Sequence, residues 1–136
     1  MRTLLLGEAI VDLICERPVA SFDEADAFVP HFGGSVANIA VGAARRGADV
    51  ALAGAAGDDP WGRRLRARLE REGVDTTWFR LVEGVETPVA FTIVDAQGAP
   101  SYTLYGDTIP AVVDAIEADL LAAVDACGAL LLTSNT

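Results

Sequence analysis

The 136-residue chain has no lysine; all ten of its basic residues are arginine. That absence excludes a Walker-A lysine, a pyridoxal Schiff base and a lysine general base. Only two cysteines occur, Cys15 and Cys127, far apart and in neither a CxxC nor a Cys/His spacing. They build no disulfide framework and no zinc ligand set, and read as two reduced, packed thiols. The lone histidine, His31, excludes a helix carrying two metal-binding histidines. Long hydrophobic runs are missing as well: the longest uncharged apolar stretch, residues 126–132, matches one buried strand. A spanning helix needs roughly 20 such residues, so no membrane partner is expected. Gly7 and Glu8 interrupt the apolar start, which argues against a signal peptide and for a soluble, cytoplasmic protein. Positive charge is scarce: ten basic residues stand against twenty acidic ones, a net charge of −10, so nucleic acid is not an expected partner.

What is present is an alanine-, valine- and leucine-rich background, 51% hydrophobic, in a length that suits one domain. Residues 2–7 read as a short buried strand, and residues 9–14 continue extended around Asp12. An acidic loop, residues 16–27, leads to a strand over 28–32 that stops at Gly33-Gly34. A helix over 35–46 follows, with Ser35 as its cap and Gly47 as its left-handed stop. It is small and apolar nearly all round, as suits close packing on a sheet. Residues 49–53 read as a buried strand. A second helix starts at Asp59-Pro60 and ends at Gly73, with Trp61, Leu65 and Leu69 as its inward stripe. Arg63, Arg64, Arg66, Arg68 and Arg71 form its outer face, balanced in part by Glu70 and Glu72, and read as a solvated face rather than a phosphate patch.

Residues 77–82 read as a strand. Residues 88–94 and 101–105 form a β-hairpin around the turn Asp95-Ala96-Gln97-Gly98, with Phe91/Ile93 and Tyr102/Leu104 expected on matching faces. A helix over 110–126 carries Val113, Ile116, Leu120 and Val124 as its stripe, and residues 129–132 form a last buried strand. Strand–helix alternation predicts an α/β fold, a parallel sheet covered by helices on both faces, with the hairpin and early strands set apart as a smaller sheet. Ligands of such sheets lie at the carboxyl ends of the strands, where Asp12, Gly33-Gly34 and Ser134-Asn135 are expected.

Residues 33–38, Gly-Gly-Ser-Val-Ala-Asn, carry the most chemistry. Paired glycines allow close approach to the backbone, amides at a helix N-terminus face the ligand, and Asn38 offers a donor and an acceptor to a hydroxyl. A tight turn with a polar first-turn residue fits the same residues, and a phosphate loop is a third reading. Asp12 sits in an apolar run and needs partners or a wet cleft; it is either a two-hydroxyl acceptor for a sugar or a structural turn aspartate. Gly54-Ala55-Ala56-Gly57 lacks the GxGxxG spacing of a dinucleotide loop, which counts against a nucleotide-dependent oxidoreductase. Tyr102, Tyr105, Phe91 and Trp78 read as sheet-packing residues, Phe91 being the best candidate for a ligand contact.

Residues 33–65, GGSVANIAVGAARRGADVALAGAAGDDPWGRRL, resemble the first signature region of the ribokinase-like, phosphofructokinase-B sugar kinases. GEAIVDLI at 7–14 resembles that family's opening strand, and LEREGVDT at 69–76 and TPVAFTIVDAQGAPSYTLYG at 87–106 continue in order. The resemblance covers essentially the whole chain and is closest to the fructokinase and ketodeoxygluconate-kinase branch. It implies a three-layer, Rossmann-like domain with a small β-sheet lid, the lid strands within 12–33 and 87–106. It also implies ATP- and Mg2+-dependent phosphorylation of a sugar hydroxyl, with Asp12, Gly33, Gly34, Asn38 and Phe91 as the sugar-binding residues. Gly106 stands where the branch usually has an arginine, so an acidic or phosphorylated sugar is not implied. The family's second signature, a GAGD-type loop that supplies the anion hole and the catalytic aspartate, has no counterpart in these 136 residues. Residues 1–136 are therefore expected to be the amino-terminal part of one kinase domain, without catalytic, ATP-binding or metal residues, inactive alone and prone to self-association through the lid or an exposed sheet edge. The alternative is a non-catalytic sugar-binding or interaction module derived from the same fold.

Overall fold

The computed structural model describes residues 1–106 and 109–133, with side chains in the last helix described from Asp114 onward. Ser134 and Asn135 lie outside the described residues. Four strands, β1 (Thr3–Leu6), β4 (Val50–Gly57), β5 (Phe79–Val82) and β8 (Ala129–Leu131), form an all-parallel sheet in the order β5-β4-β1-β8. A separate four-stranded sheet contains β2 (Ile10–Cys15), β3 (Phe28–Gly33), β6 (Val89–Val94) and β7 (Pro100–Tyr105), in the order β3-β2-β6-β7. It is here called the lid.

Parallel strands must be covered on both faces, and the alternation along β1 and β4 shows how. Leu5 and Leu52 face α1 (Ser35–Ala44) and α2 (Pro60–Arg71), in a core that includes Val36, Ala40, Leu65, Leu69 and Phe79. Leu4, Ala51 and Ala53 face the opposite way and bury Ala123 of α3 (Ile109–Asp125), with Trp78 and Cys127 beside them. The result is the expected three layers. Within α3 the inward residues are Ile116 and Ala123, seven apart, whereas Val124 is exposed; the Val113 side chain lies outside the described residues.

Two expectations change. β4 is longer than the strand read over residues 49–53: it runs on through residues 54–57, and all eight of its residues are buried. Small side chains there let β5 and the chain at Gly7 approach closely; a Cβ on Gly54 would lie 2.3 Å from the Gly7 carbonyl oxygen. The hairpin faces are also reversed. Phe91 pairs with Thr103 and Ile93 with Ser101, while Tyr102 and Leu104 pair with Thr92 and Ala90. Paired residues share a face, so the two aromatic-apolar rows stand on opposite faces.

The chain crosses between the two sheets at four places, and two carboxylates fasten these crossings. Asp59 caps α2 by accepting from Gly62 N–H at 2.8 Å, and also accepts from Thr87 N–H at 2.9 Å and Thr87 Oγ1–H at 2.8 Å. Thr87 is buried and accepts in turn from Gly57 N–H at 3.0 Å. Glu8 does the same work at the other crossing, described below.

Candidate functional site

The strand β3 leaves the lid at Gly33 and becomes α1 within two residues. Gly34, with φ +98°, makes the bend. An alanine there would meet strain twice, from the left-handed backbone and from Glu8 O, 2.4 Å from its Cβ. Ser35 is not the cap but the first helical residue. The cap is supplied across the fold by Glu8, whose Oε1 accepts from Ser35 N–H at 3.1 Å and from Ser35 Oγ–H at 2.9 Å. A carboxylate already occupies the positive end of α1. A phosphate placed there would face its negative charge, which removes the phosphate-loop reading.

Asp12 lies at the centre of the lid strand β2, between His31 of β3 and Ala90 of β6. Its carboxylate rests on Gly33: a Cβ added to that glycine would lie 2.4 Å from Oδ2 and 2.7 Å from Cγ. Burial pushes the Asp12 carboxyl above its ordinary pKa, and neighbouring His31 offsets part of that. Among the described residues no hydrogen bond reaches this carboxylate. Asn38 stands one turn into α1, exposed, with its backbone N–H donating to Gly34 O at 2.9 Å. Four of the five sequence candidates therefore belong to one stretch of structure: Asp12 on Gly33, Gly34 at the bend, and Asn38 on the outer face of the helix that the bend begins.

Phe91 does not join them. It shares a face with Leu13 and Thr103, opposite to the Asp12 face, and meets Phe28 and Tyr105 edge-on at ring-centre distances of 5.1 and 5.6 Å. Its ring belongs to an aromatic cluster on the face opposite Asp12, where it also lines a cavity with Leu13, Trp61 and Thr87. Sequence reasoning missed Glu8 and Thr87. Glu8 had a signal, an acidic residue set directly after Gly7 in an apolar run, but its partner lies 27 residues away. Thr87 had none beyond being a polar residue before a proline.

A two-sheet α/β architecture with a carboxylate on the inner strand of a small lid, held against a double glycine that opens a helix, defines a class, and comparison with known proteins agrees. The chain belongs to the pfkB family of carbohydrate kinases, whose family model matches residues 2–129. It is 37% identical over 99 residues to fructokinase-1 of Oryza sativa subsp. japonica, covering 73% of this chain and 31% of the rice protein. Among solved structures it is similar to the fructokinase of Halothermothrix orenii, with a TM-score of 0.73 and 31% identity over 77% of this chain and 37% of that one. It is also similar to a sugar kinase of Pyrococcus horikoshii in complex with ATP, with a TM-score of 0.72 and 33% identity over 78% of this chain and 34% of that one. The chain thus spans about a third of the length of the relatives it matches.

Among the described residues no helix is long and apolar enough to cross a membrane, and no group of three or more His, Cys, Asp or Glu side chains could hold a metal ion.

Proposed function

We propose that this chain supplies the sugar-binding part of an ATP-dependent carbohydrate kinase of fructokinase type. The observation that carries the reading is the Asp12 carboxylate, half-buried against Gly33 with no hydrogen bond from a described residue, in a chain of the pfkB family. A carboxylate is an acceptor only, with two oxygens and room for two hydroxyl donors, and charge-assisted bonds of this kind are the strong ones. Asn38 would add a donor and an acceptor one turn into the helix, and the absent side chain of Gly33 leaves the Asp12 carboxylate its place. The reaction in the whole enzyme would be attack of the sugar hydroxyl on the γ-phosphate of ATP. The residues of this chain would bind and orient the sugar, not move the proton.

Titration with fructose, followed by calorimetry, tests this. Weak saturable binding is expected, declining as pH falls through the raised Asp12 pKa, because the protonated acid can no longer accept two hydroxyls. No fructose binding at neutral pH would overturn the reading. An ATP-coupled assay of the same chain is expected to show no sugar phosphorylation, and clear turnover would overturn the assignment of the base to residues outside it.

The lid edge strand β7 is exposed along all six residues, Tyr102 at 72% and Tyr105 at 60%. Unpaired edges with apolar side chains invite a second copy. Sedimentation is expected to show concentration-dependent self-association, and a monodisperse monomer at high concentration would rule it out.

A further inference from the structure

The geometry points to a second small-molecule site, a groove between the lid and α2 built for a phosphate monoester. The cavity has a volume of about 260 Å³. Its floor includes Val11 and Phe32 of the lid and Trp61 of α2, and Arg64, Arg68 and Arg71 line it from the same helix. These arginines recur at i, i+4 and i+7, so they share one helical face, the face that also carries Trp61 and Leu65. Val11 and its partner Phe32 stand on the face of the lid opposite Asp12. His31, the cross-strand partner of Asp12, lines the groove from the edge strand, so the Asp12→Asn variant below separates this groove from the sugar cleft.

The five arginines of α2 are not one uniform solvated face. Arg63 is paired with Asp58 and Arg66 with Glu70, both away from the groove. Arg68 pairs with Glu72, which Arg45 also engages, yet the Arg68 Nε is buried and donates to nothing among the described residues. An orphaned buried donor is costly, and this one belongs to a residue that lines the cavity. Arg64 lies over the Trp61 ring at 5.7 Å, and neither it nor Arg71 holds an ion pair among the described residues. Three guanidinium groups against the single, shared Glu72 leave a local surplus of positive charge in a protein of net charge −10.

The ligand class follows from this arrangement. Planar guanidinium forks match the oxygens of a phosphoryl group, and a dianion suits several cations better than one carboxylate does. At about 30 Å³ per water the groove holds roughly nine waters, more than inorganic phosphate fills, and Phe32 and Trp61 in its lining can meet a small organic group. A nucleic acid is excluded by the long-range field of the acidic remainder. The site does not depend on the sugar reading, and the test keeps the two apart.

The experiment follows the Trp61 indole N–H resonance of the 136-residue protein, assigned against Trp78 with Trp78→Phe, during titration with fructose 6-phosphate, fructose and inorganic phosphate. A saturable shift is expected with fructose 6-phosphate, at least ten-fold tighter than with inorganic phosphate and absent with fructose. Arg71→Gln and Arg68→Lys should each weaken it about ten-fold or more with unchanged melting temperature, and Asp12→Asn should leave it intact. Arg71 is exposed and unpaired, so its replacement does not threaten folding. Equal binding by the arginine variants, or equal affinity for inorganic phosphate, would overturn the site. Loss of the shift in Asp12→Asn would move the anion to the sugar cleft, overturning this proposal while leaving the sugar reading standing.

Discussion

Asp59→Ala is expected to cost the protein about 2–4 kcal/mol and to loosen the lid from the body. The helix cap contributes about 0.5–2 kcal/mol in such positions. Leaving the Thr87 N–H and hydroxyl unpaired in a buried position adds about 1–3 kcal/mol. Against a total stability of about 5–15 kcal/mol the loss is large. Urea denaturation measures it, and hydrogen exchange at Gly57 and Thr87 reports the loosened crossing. The acid limb should change too. Burial pushes the Asp59 carboxyl up, but hydrogen bonds from Gly62, Thr87 and Trp61 together outweigh it and hold its pKa below the ordinary value. A lowered pKa gives stability that is present above the unfolded value of about 4 and is lost as pH falls through the folded one. Asp59→Ala should therefore be less acid-sensitive than the parent. Asp75, lowered first by the Thr77 hydroxyl and also by Arg2, should account for part of the remaining slope. A variant as stable as the parent at pH 7 would show that the network does not hold the crossing.

Gly33→Ala is expected to lower sugar affinity about 100-fold, since charged hydrogen bonds are worth about 1.5–3 kcal/mol each and 1.4 kcal/mol is a factor of ten. The new Cβ would fall 2.4 Å from Asp12 Oδ2, closer than real contacts allow, so the carboxylate must turn away from its place. Asp12→Asn should lose affinity to a similar degree by a different route, and the two separate by stability. The raised pKa of Asp12 means that burial disfavours its ionised form, so the native state is penalised above that pKa. Asparagine removes the penalty, and its melting temperature at neutral pH should equal or exceed the parent's. Calorimetric titration with fructose and thermal melts read both quantities. Undiminished fructose binding in either variant would place the sugar elsewhere.

Much of this architecture is local and was legible. Asp59-Pro60 announces the start of α2, Gly47 the end of α1, and Asp95 to Gly98 the hairpin turn, where the Asp95 carboxylate accepts from Gln97 and Ala99 N–H groups. These signals depend on a few neighbouring residues. What sequence did not reveal depends on register. Asp12 and Phe91 both lie on lid strands, but which residues of β2 and β6 pair decides whether they share a face, and Asp12 pairs with Ala90. A slip of one residue would have put them together. The extension of β4 through Gly54–Gly57 was hidden for a related reason: glycine-rich segments read as loops unless the neighbouring backbones that require small residues are known. The capping of α1 by Glu8 is a tertiary contact that no helix-start pattern contains.

The central strand has a consequence for how the protein is made. β1 is hydrogen-bonded on one side to β4, through Thr3 and Val50, and on the other to β8, through Thr3 and Ala129. During translation one flank of β1 must wait until the ribosome has released the segment around residue 130, while the β6–β7 hairpin of the lid can form as soon as its own short segment emerges. The nascent polypeptide therefore passes through a stage with a half-finished sheet and an open apolar flank, the stage at which chaperone capture or misassembly with another nascent copy competes with correct closure.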